Sequence, residues 1–354
     1  MVPFAGFEMP VQYPRGIIHE HRHTRSSAAL FDISHMGQLL CSGAGAAALL
    51  EALTPGDLAG LDPGRQLYTV LTNDDGGIID DLMVTQSQSG FYLVINAARR
   101  DRDIDHFRSM QGADCRFEVM DAALIALQGP AAAQILSRYH AGIGALRFMH
   151  GGVWEINGIR CMINRSGYTG EDGYEISVAC ADAVALAREL LSSAEVEPAG
   201  LGARDSLRLE AGLCLYGHDI DEHTTPVEAG LGWVVAKKYR GANIVEAQFP
   251  GAEKILGQLK NGTDKIRIGL RPQGKIPVRE GATVYTASGA HAGRVTSGGF
   301  GPSVGAPVAM AYVQTGCAQP GMELGVEIRG RIHTARVQRL PFVEHRYFQP
   351  QRSS

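Results

Sequence analysis

The chain has 354 residues, of which 45% are apolar and 20% are charged, so it is long enough for two or three packed domains and too apolar to be disordered. A formal net charge of −4 gives it no general attraction to nucleic acid or to an anionic membrane, and no apolar run approaches the ~18 residues of a spanning helix. Its six cysteines are scattered without a CxxC pair, which argues against a disulfide framework or a zinc ribbon and suits the reducing cytoplasm.

The first third of the chain predicts strands alternating with helices. Strands are predicted at 37–41, 66–71, 82–85 and 90–95, and helices at 44–53 and 99–110. Between two of these strands, residues 73–77 read Asn-Asp-Asp-Gly-Gly, a turn-forming run that predicts a β-hairpin.

The middle of the chain repeats this pattern. A short apolar segment at 123–127 precedes Gly129-Pro130 and a predicted helix that runs through 136, with proline near the first turn, where its missing N–H costs nothing. Strands at 153–156, 160–164 and 174–178 and a helix at 182–191 follow. Short strands that alternate with helices in this way indicate α+β units rather than one long parallel sheet.

The last quarter of the chain predicts a different architecture. Short strands recur there at 267–270, 283–285, 292–296, 308–313, 323–328 and 333–336, separated by glycine and proline. This spacing predicts a small antiparallel barrel or sandwich. Because the composition shifts towards lysine, glycine and polar residues at 237–262, we place the division between an N-terminal region at 1–250 and a C-terminal domain at 262–347.

The most unusual composition lies between Ser166 and Pro226, where carboxylates, arginines and tyrosines alternate with many glycines. Glycines let a backbone turn tightly and let a ligand approach closely. This run, together with FDISHM at 31–36, NDDGGIIDDL at 73–82, LQGP at 127–130 and TSG at 296–298, resembles the aminomethyltransferases of the glycine cleavage system, the T-protein family. The resemblance covers essentially the whole chain.

The resemblance implies a fold, a co-substrate and a partner. The fold would be α+β, with two ferredoxin-like α+β parts and a C-terminal antiparallel β-barrel arranged around a central folate cavity. The co-substrate would be tetrahydrofolate, no metal would be needed, and the partner would be the lipoylated H-protein. The expected reaction transfers the methylene of the aminomethyl-lipoyl arm to tetrahydrofolate and releases ammonia.

Two adjacent carboxylates, Asp80 and Asp81, are the candidates for catalysis. Neighbouring side chains on a strand point to opposite faces, so only one of the two is expected to face a cavity. The residues alone leave that choice open, since an exposed carboxylate pair leaving a hairpin is the simpler interpretation. The resemblance favours the second of the pair, Asp81.

The resemblance also implies the residues that bind folate. Glu175 would accept hydrogen bonds from the paired N–H donors of the pterin; the structural alternative is an ion pair at the edge of the strand. Arg204 would contact the ligand; the structural alternative is an ion pair at the start of a helix. Arg208 and Glu210 are expected to form structural ion pairs. The remaining cavity residues implied are Met36, Tyr68, Asn96, Tyr168, Trp233 and Tyr347. For four of them the structural alternative is an ordinary core or sheet position: Tyr68, Asn96, Tyr168 and Trp233.

Three other patterns invite different interpretations. Residues 19–23, His-Glu-His-Arg-His, satisfy the HExxH zinc motif, but we expect no zinc site because no third ligand is evident downstream. Residues 43–48 follow a strand and open a helix like a dinucleotide fingerprint, yet a tight turn into an alanine-rich helix is favoured. Lys237, Lys238 and Arg240 form a basic cluster that is either a solvated surface or a docking site for an acidic carrier protein.

Two alternative functions stay open at this point. One is another folate-dependent demethylase of the same superfamily, and the other is a folate-binding accessory protein without catalysis. A third relative, the sarcosine-type dehydrogenase of this superfamily, normally has an attached flavin domain, and the accessory proteins rely on a cysteine-containing motif. Neither is seen in this sequence, which favours the aminomethyltransferase.

Overall fold

The computed structural model describes residues 1–240 and 246–349. The strands are β1 Val2–Phe4, β2 Phe7–Met9, β3 Ala28–Asp32, β4 Gly37–Ser42, β5 Gln66–Thr72, β6 Ile78–Ser87, β7 Gly90–Ile95, β8 Arg116–Val119, β9 Ala122–Gln128, β10 Gly151–Ile156, β11 Ile159–Asn164, β12 Gly173–Ala179, β13 Val196–Pro198, β14 Lys265–Pro272, β15 Thr283–Tyr285, β16 His291–Gly301, β17 Ala306–Gln314, β18 Glu323–Ile328 and β19 Arg331–Gln338. The α-helices are α1 Ile17–Ser26, α2 Ala46–Leu53, α3 Arg100–Met110, α4 Ala132–Ser137, α5 Ala141–Gly144, α6 Ala183–Leu191, α7 Leu201–Glu210 and α8 Ala252–Asn261.

Besides the two-stranded sheet of β1 and β2, the described N-terminal region contains two larger, separate sheets. One has five strands in the order β5-β6-β7-β4-β8, and the other has six strands in the order β10-β11-β12-β9-β3-β13. The chain enters the six-stranded sheet at β3, leaves to build the whole five-stranded sheet, and returns at β9. Each sheet packs its own apolar core against helices, so the region consists of two α+β parts that are interleaved in sequence.

The predicted hairpin of the five-stranded sheet is formed by β5 and β6. Its turn packs against the start of helix α8, where Gly251 has a φ of 72° and a Cβ would lie 2.3 Å from the Cα of Gly76. Only glycine fits such a close approach with a positive φ. Helix α8 buries Ile255 in a core cluster that also contains Val70 and Ile78, so the segment that we predicted to be only a boundary contains a packed helix.

The C-terminal strands form a closed antiparallel barrel in the order β14-β17-β16-β15-β18-β19, completed by pairing of β14 with β19. Its interior is filled with small and branched apolar side chains. The predicted fold class, α+β with a C-terminal antiparallel barrel, is confirmed. Among the described residues, no helix combines the length and apolar character that crossing a membrane requires.

Candidate active site

A cavity of about 620 Å³ lies where the two larger sheets, the barrel and the segment that follows helix α7 meet. Every site residue predicted from the sequence lines this cavity: Met36, Tyr68, Asp81, Asn96, Tyr168, Glu175, Arg204, Trp233 and Tyr347. Each of the nine comes from a different strand, helix or loop, so the cavity exists only in the assembled fold. Its volume falls within the ~300–1,000 Å³ typical of small-molecule sites.

Asp81 faces the cavity from strand β6, whereas its neighbour Asp80 points to the opposite face of the sheet and is fully buried. Tyr68 donates its hydroxyl to Asp81 Oδ2 at 3.1 Å, and the Asn96 amide donates to Asp81 Oδ1 at 2.8 Å. Burial, reinforced by the nearby Asp80 carboxyl, raises the pKa of Asp81 to about 7. The cavity therefore holds a carboxylate in a fixed orientation that takes up or loses a proton near neutral pH.

Behind Asp81, the Asp80 carboxyl lies against a third carboxyl, that of Asp103, which sequence reasoning missed. Asp80 accepts from the backbone N–H and side-chain amide of Asn96, at 3.1 and 2.9 Å, and faces the carboxyl of Asp103 on helix α3. Both oxygens of Asp103 are buried and accept no hydrogen bond from the donor groups of the described residues. Two carboxyls in contact need a proton between them, and burial raises the pKa of Asp80 well above its usual range and that of Asp103 to about 6.

Glu175 enters the same cavity from strand β12, where it lies between Ala126 of β9 and Asn164 of β11. Ser166 donates its hydroxyl to Glu175 Oε2 at 3.2 Å. Burial raises the pKa of Glu175, and the nearby Arg204 opposes that rise. One carboxylate oxygen is thus positioned by the protein, while the group as a whole borders the cavity and is able to accept from a ligand.

Arg204 extends from helix α7 over the ring of Tyr168, with its guanidinium carbon 4.6 Å from the ring centroid. Burial lowers the pKa of Arg204, with Tyr168 and Glu175 opposing that shift. Within residues 1–240 and 246–349 no carboxylate forms an ion pair with this guanidinium. Its planar donors are therefore free to meet a ligand that carries an acceptor or a negative charge.

The two residues predicted to be structural do form ion pairs away from the cavity. Arg208 contacts Asp219 Oδ2 at 2.7 Å, and its Nε donates to Asp205 at 2.8 Å. Glu210 contacts Arg25 at 3.2 Å and His21 at 3.0 Å.

Aromatic side chains form the outer part of the cavity. Trp233 is 58% exposed and lies 5.5 Å, centroid to centroid, from the ring of Tyr68. On another side, Tyr347 stacks on Phe148 with ring centroids 4.1 Å apart and an angle of 9° between the rings. Flat, partly exposed rings of this kind suit the stacking of a planar ligand.

Sequence reasoning missed many of the residues that line the cavity, among them His35, Arg267 and Phe148. His35 lines the cavity with its Nδ1 buried and without a hydrogen-bond partner among the described residues, and burial, helped by Arg204, lowers its pKa to about 4. Arg267 and Phe148 also line it. His35 could have been found, since it lies in the motif from which only Met36 was chosen, whereas nothing in the sequence points to a cavity role for Phe148 or Arg267.

The other patterns have structural explanations. Gly43 turns strand β4 towards helix α2 with a φ of 109°, and a Cβ there would lie 2.2 Å from the Asp114 carbonyl oxygen. This packing favours the tight turn over a dinucleotide site. In the basic cluster, Lys238 is not a free surface charge, because its Nζ contacts Glu51 at 2.7 Å and Asp57 at 2.9 Å.

The expectation that no third ligand accompanies the HExxH histidines is wrong. Glu197 of strand β13 lies beside His19 and His23, and the three side chains have ligand atoms within 4.8 Å of one another. Glu197 reaches these histidines because β13 pairs in parallel with β3 over three residues. This pairing is too short, and its two strands are too distant in sequence, to be predicted from local patterns.

Comparison with known proteins agrees with this architecture. Residues 1–239 match the family model described as the GCVT N-terminal domain, and residues 265–344 match the glycine cleavage T-protein C-terminal barrel domain. The chain is 46% identical to a mitochondrial aminomethyltransferase of Homo sapiens over 98% of this chain and 87% of the human one. It is 43% identical to that of Dictyostelium discoideum, over 98% and 90% of the two chains.

A solved structure extends the similarity to three dimensions. The crystal structure of the glycine cleavage system aminomethyltransferase T from Bartonella henselae superimposes with a TM-score of 0.92 at 44% identity, covering 98% of this chain and 95% of that one. The chain therefore belongs to the T-protein family of glycine cleavage system aminomethyltransferases.

Proposed function

We propose that this aminomethyltransferase binds tetrahydrofolate in the central cavity and transfers to it the methylene carried by the aminomethyl-lipoyl arm of an H-protein. The observation that carries the proposal is the meeting, in one cavity, of Asp81, Glu175 and Arg204 with a set of aromatic rings. A pterin is planar, carries a pair of N–H donors on one edge, and needs this combination of a carboxylate and flat apolar surface.

Glu175 is proposed to bind the pterin. Its carboxylate matches the ring N–H and the exocyclic amino group, which together form a donor pair similar to that of a guanidinium. Its position between two neighbouring strands keeps the backbone fixed, and Ser166 orients one oxygen. Arg204, which contacts Tyr168 and no carboxylate of the described chain, is available for an acceptor of the same ligand.

The proposed reaction needs no nucleophile from the protein. The carbon–sulfur bond of the aminomethyl thioether breaks and leaves the electron pair on sulfur, while N5 and then N10 of tetrahydrofolate bond to the methylene and the carbon–nitrogen bond to ammonia breaks. The two protons lost from N5 and N10 balance those gained by the thiol and by ammonia. The products are 5,10-methylenetetrahydrofolate, ammonia and the dihydrolipoyl arm.

Asp81 is proposed to act on the charge that develops at the methylene carbon. That carbon is iminium-like while its bonds to sulfur and nitrogen break, and a fixed carboxylate in a site that excludes water stabilises positive charge strongly. Tyr68 and Asn96 hold the carboxylate in place before the reaction. Since burial brings the pKa of Asp81 to about 7, the same group is also suited to accept a proton released from the folate nitrogens.

We further propose that the transfer proceeds without a metal and in the cytoplasm. Among the described residues, the one three-residue cluster of potential metal ligands lies outside the cavity. All six cysteines are free thiols, including Cys41 and Cys115, whose sulfur atoms are 3.4 Å apart, as a reducing compartment would keep them. Cell fractionation tests the location. The alternative is a mitochondrial location, which the names of the eukaryotic relatives give for those proteins.

The decisive experiment measures ammonia release from H-protein loaded with the aminomethyl group, with and without tetrahydrofolate. We expect rapid release that depends on tetrahydrofolate, together with stoichiometric 5,10-methylenetetrahydrofolate. Release at the same rate without folate, or no folate product, would overturn the proposal. Asp75 is exposed in the turn that precedes strand β6. The same substitution there, Asp75→Asn, serves as the matched control for substitution of Asp81.

A further inference from the structure

The HExxH segment on helix α1 gains a third potential ligand in the folded protein. His19 and His23 lie one turn apart with stacked rings, 5.8 Å between centroids and 27° between the ring planes. Strand β13 runs beside this helix and brings Glu197 to them. His19 Nε2 lies 2.6 Å from Glu197 Oε2, and His23 Nδ1 lies 3.7 Å from Glu197 Oε1.

A backbone carbonyl fixes the tautomer of one histidine. His23 Nε2 lies 3.0 Å from the carbonyl oxygen of Glu195, which only accepts, so Nε2 must carry the hydrogen. In neutral His23 the lone pair on Nδ1 then faces the Glu197 carboxylate, and two acceptors confront each other. A proton or a metal ion between them satisfies both acceptors, and a ring N–H held by a carbonyl is the usual support of a metal-binding histidine.

The distances fit a small transition-metal ion. Zinc binds imidazole nitrogen and carboxylate oxygen at ~2.0–2.2 Å, so two ligands of a tetrahedral site are about 3.4 Å apart. The separation of His23 Nδ1 and Glu197 Oε1 is close to this value at 3.7 Å. The 2.6 Å contact of His19 with Glu197 is a hydrogen bond that would open slightly as the metal replaces the proton.

The site is not a hydrolase centre. Glu20, which occupies the position of the catalytic base in an HExxH enzyme, is buried and accepts instead from the backbone N–H of Gly200 at 2.9 Å and from that of Tyr13. Neither histidine lines the folate cavity, and nor does Glu197. The cluster therefore suits binding rather than catalysis.

We propose that His19, His23 and Glu197 form a three-ligand site for a divalent transition-metal ion of the zinc class, with water in the fourth position. The three side chains are 30%, 15% and 26% exposed, so an ion and a water molecule have access from solvent. Nitrogen and oxygen donors without a thiolate favour zinc or cobalt over softer ions. Bound metal would join helix α1 to strand β13.

The side chain of Arg15 provides a second, competing cation beside Glu197. The guanidinium of Arg15 also contacts the Glu197 carboxylate and is 62% exposed, so it competes with a metal ion for the same oxygen. Removing this charge should strengthen metal binding, whereas a cluster that merely forms ion pairs would gain nothing.

The test uses tag-free, chelator-treated full-length protein titrated with Co²⁺, followed by visible absorption, and with Zn²⁺, followed by calorimetry. We expect one equivalent of each and a tetrahedral cobalt spectrum. His23→Ala and Glu197→Gln should each lower the affinity at least ~10-fold. Arg15→Gln should raise it several-fold, and His291→Ala, an exposed histidine on the barrel, should change nothing.

Absence of a one-equivalent micromolar site, or binding that survives both His23→Ala and Glu197→Gln, would overturn the proposal. Circular dichroism and melting temperature establish that each variant is folded. If His23→Ala does not fold, the isosteric Glu197→Gln decides the question. Aminomethyl transfer should be the same with and without metal, because the site lies outside the cavity.

Discussion

Replacing Asp81 with asparagine should abolish most turnover and at the same time stabilise the protein. The amide keeps the shape of the carboxylate and both hydrogen-bonded neighbours, since Asn96 still donates to the oxygen and the Tyr68 hydroxyl is able to accept from the new amide. It removes the negative charge. Loss of one fixed electrostatic group of this kind lowers the rate by ~10²–10³.

The stability gain follows from the raised pKa. Asp81 loses its proton at a pKa of about 7 in the folded protein and at its ordinary value of 3.8 in the unfolded chain. At about 1.36 kcal/mol per pH unit, this interval corresponds to roughly 4 kcal/mol against folding above pH 7. Because the carboxylate borders a cavity that admits water in the free enzyme, solvent screening reduces the figure to about 2 kcal/mol.

The sign of the pH dependence is fixed by the same values. Between pH 4 and 7 the folded protein retains a proton on Asp81 that the unfolded chain has lost, so the contribution of Asp81 to stability falls as pH rises through this window. The advantage of Asp81→Asn should grow from pH 4 to 7 and stay constant above it.

Denaturant and thermal unfolding at pH 5 and pH 8, together with the ammonia-release assay, check both effects. We expect a clearly larger stability advantage at pH 8 and a turnover defect that saturating tetrahydrofolate does not rescue. Asp75→Asn should show neither effect. A stability difference that is the same at both pH values would refute the assigned pKa, and turnover within about threefold of wild type would refute the electrostatic role of Asp81.

Three further predictions concern the ligand, the pH profile and the partner. Glu175→Gln should weaken tetrahydrofolate binding by ~1–3 kcal/mol, since an amide cannot accept hydrogen bonds from both pterin donors. An unchanged affinity by calorimetry would show that Glu175 has a structural role and does not bind the pterin. Tyr68→Phe removes a hydrogen bond that lowers the pKa of Asp81, so the acid limb of kcat/KM should move to higher pH, and an unmoved limb would contradict the role of the carboxylate. Charge reversal at the exposed Lys237 and Arg240 should raise the KM for H-protein at low salt without changing turnover at saturation, and an unchanged KM would place docking elsewhere.

The structure shows which residues of the basic cluster are suitable for the charge-reversal test of H-protein docking. Sequence alone groups Lys237, Lys238 and Arg240 as equivalent charges. Lys238 is held by two carboxylates, so reversing it would disturb packing rather than docking. The other two are exposed, close in sequence to Trp233 at the edge of the cavity.

Local patterns predicted most of the strands and helices because each of these elements depends mainly on a few consecutive residues. The hairpin of β5 and β6 was signalled by its turn, and the barrel strands were signalled by glycine and proline at regular intervals. Contacts between distant segments left no such signal. The parallel pairing of β13 with β3 spans three residues and joins segments more than 160 positions apart, and it alone brings Glu197 to helix α1.

The choice between Asp80 and Asp81 shows the same limit at the active site. Alternation of apolar and polar residues along a strand normally reveals which face is buried. Along β6, however, residues alternate between fully and partly buried positions, because one face of the strand packs on helices and the other borders the cavity. Apolar residues therefore occur on both faces, as with Ile78 and Ile79. Periodicity could not select Asp81, and family resemblance was needed.

Tyr347 shows how residues far from the reaction determine the site. A tyrosine this near the end of the chain would ordinarily be mobile, yet its neighbour Arg346 donates to Glu171 from Nε at 3.0 Å and to the Arg25 carbonyl at 3.2 Å. Glu171 also contacts the Arg25 guanidinium at 2.9 Å.

The same guanidinium links this tail contact to the barrel. Arg25 reaches Glu210 at 3.2 Å, and Glu210 in turn accepts from the backbone N–H of Ser303 at 2.7 Å. One chain of charges, buried except for Arg346, thus connects helices α1 and α7, the loop before strand β12, the barrel and the C-terminal tail. Because a buried charge that loses its partner is strongly destabilising, these units hold one relative arrangement, and that arrangement brings the Tyr347 ring to the cavity beside Phe148.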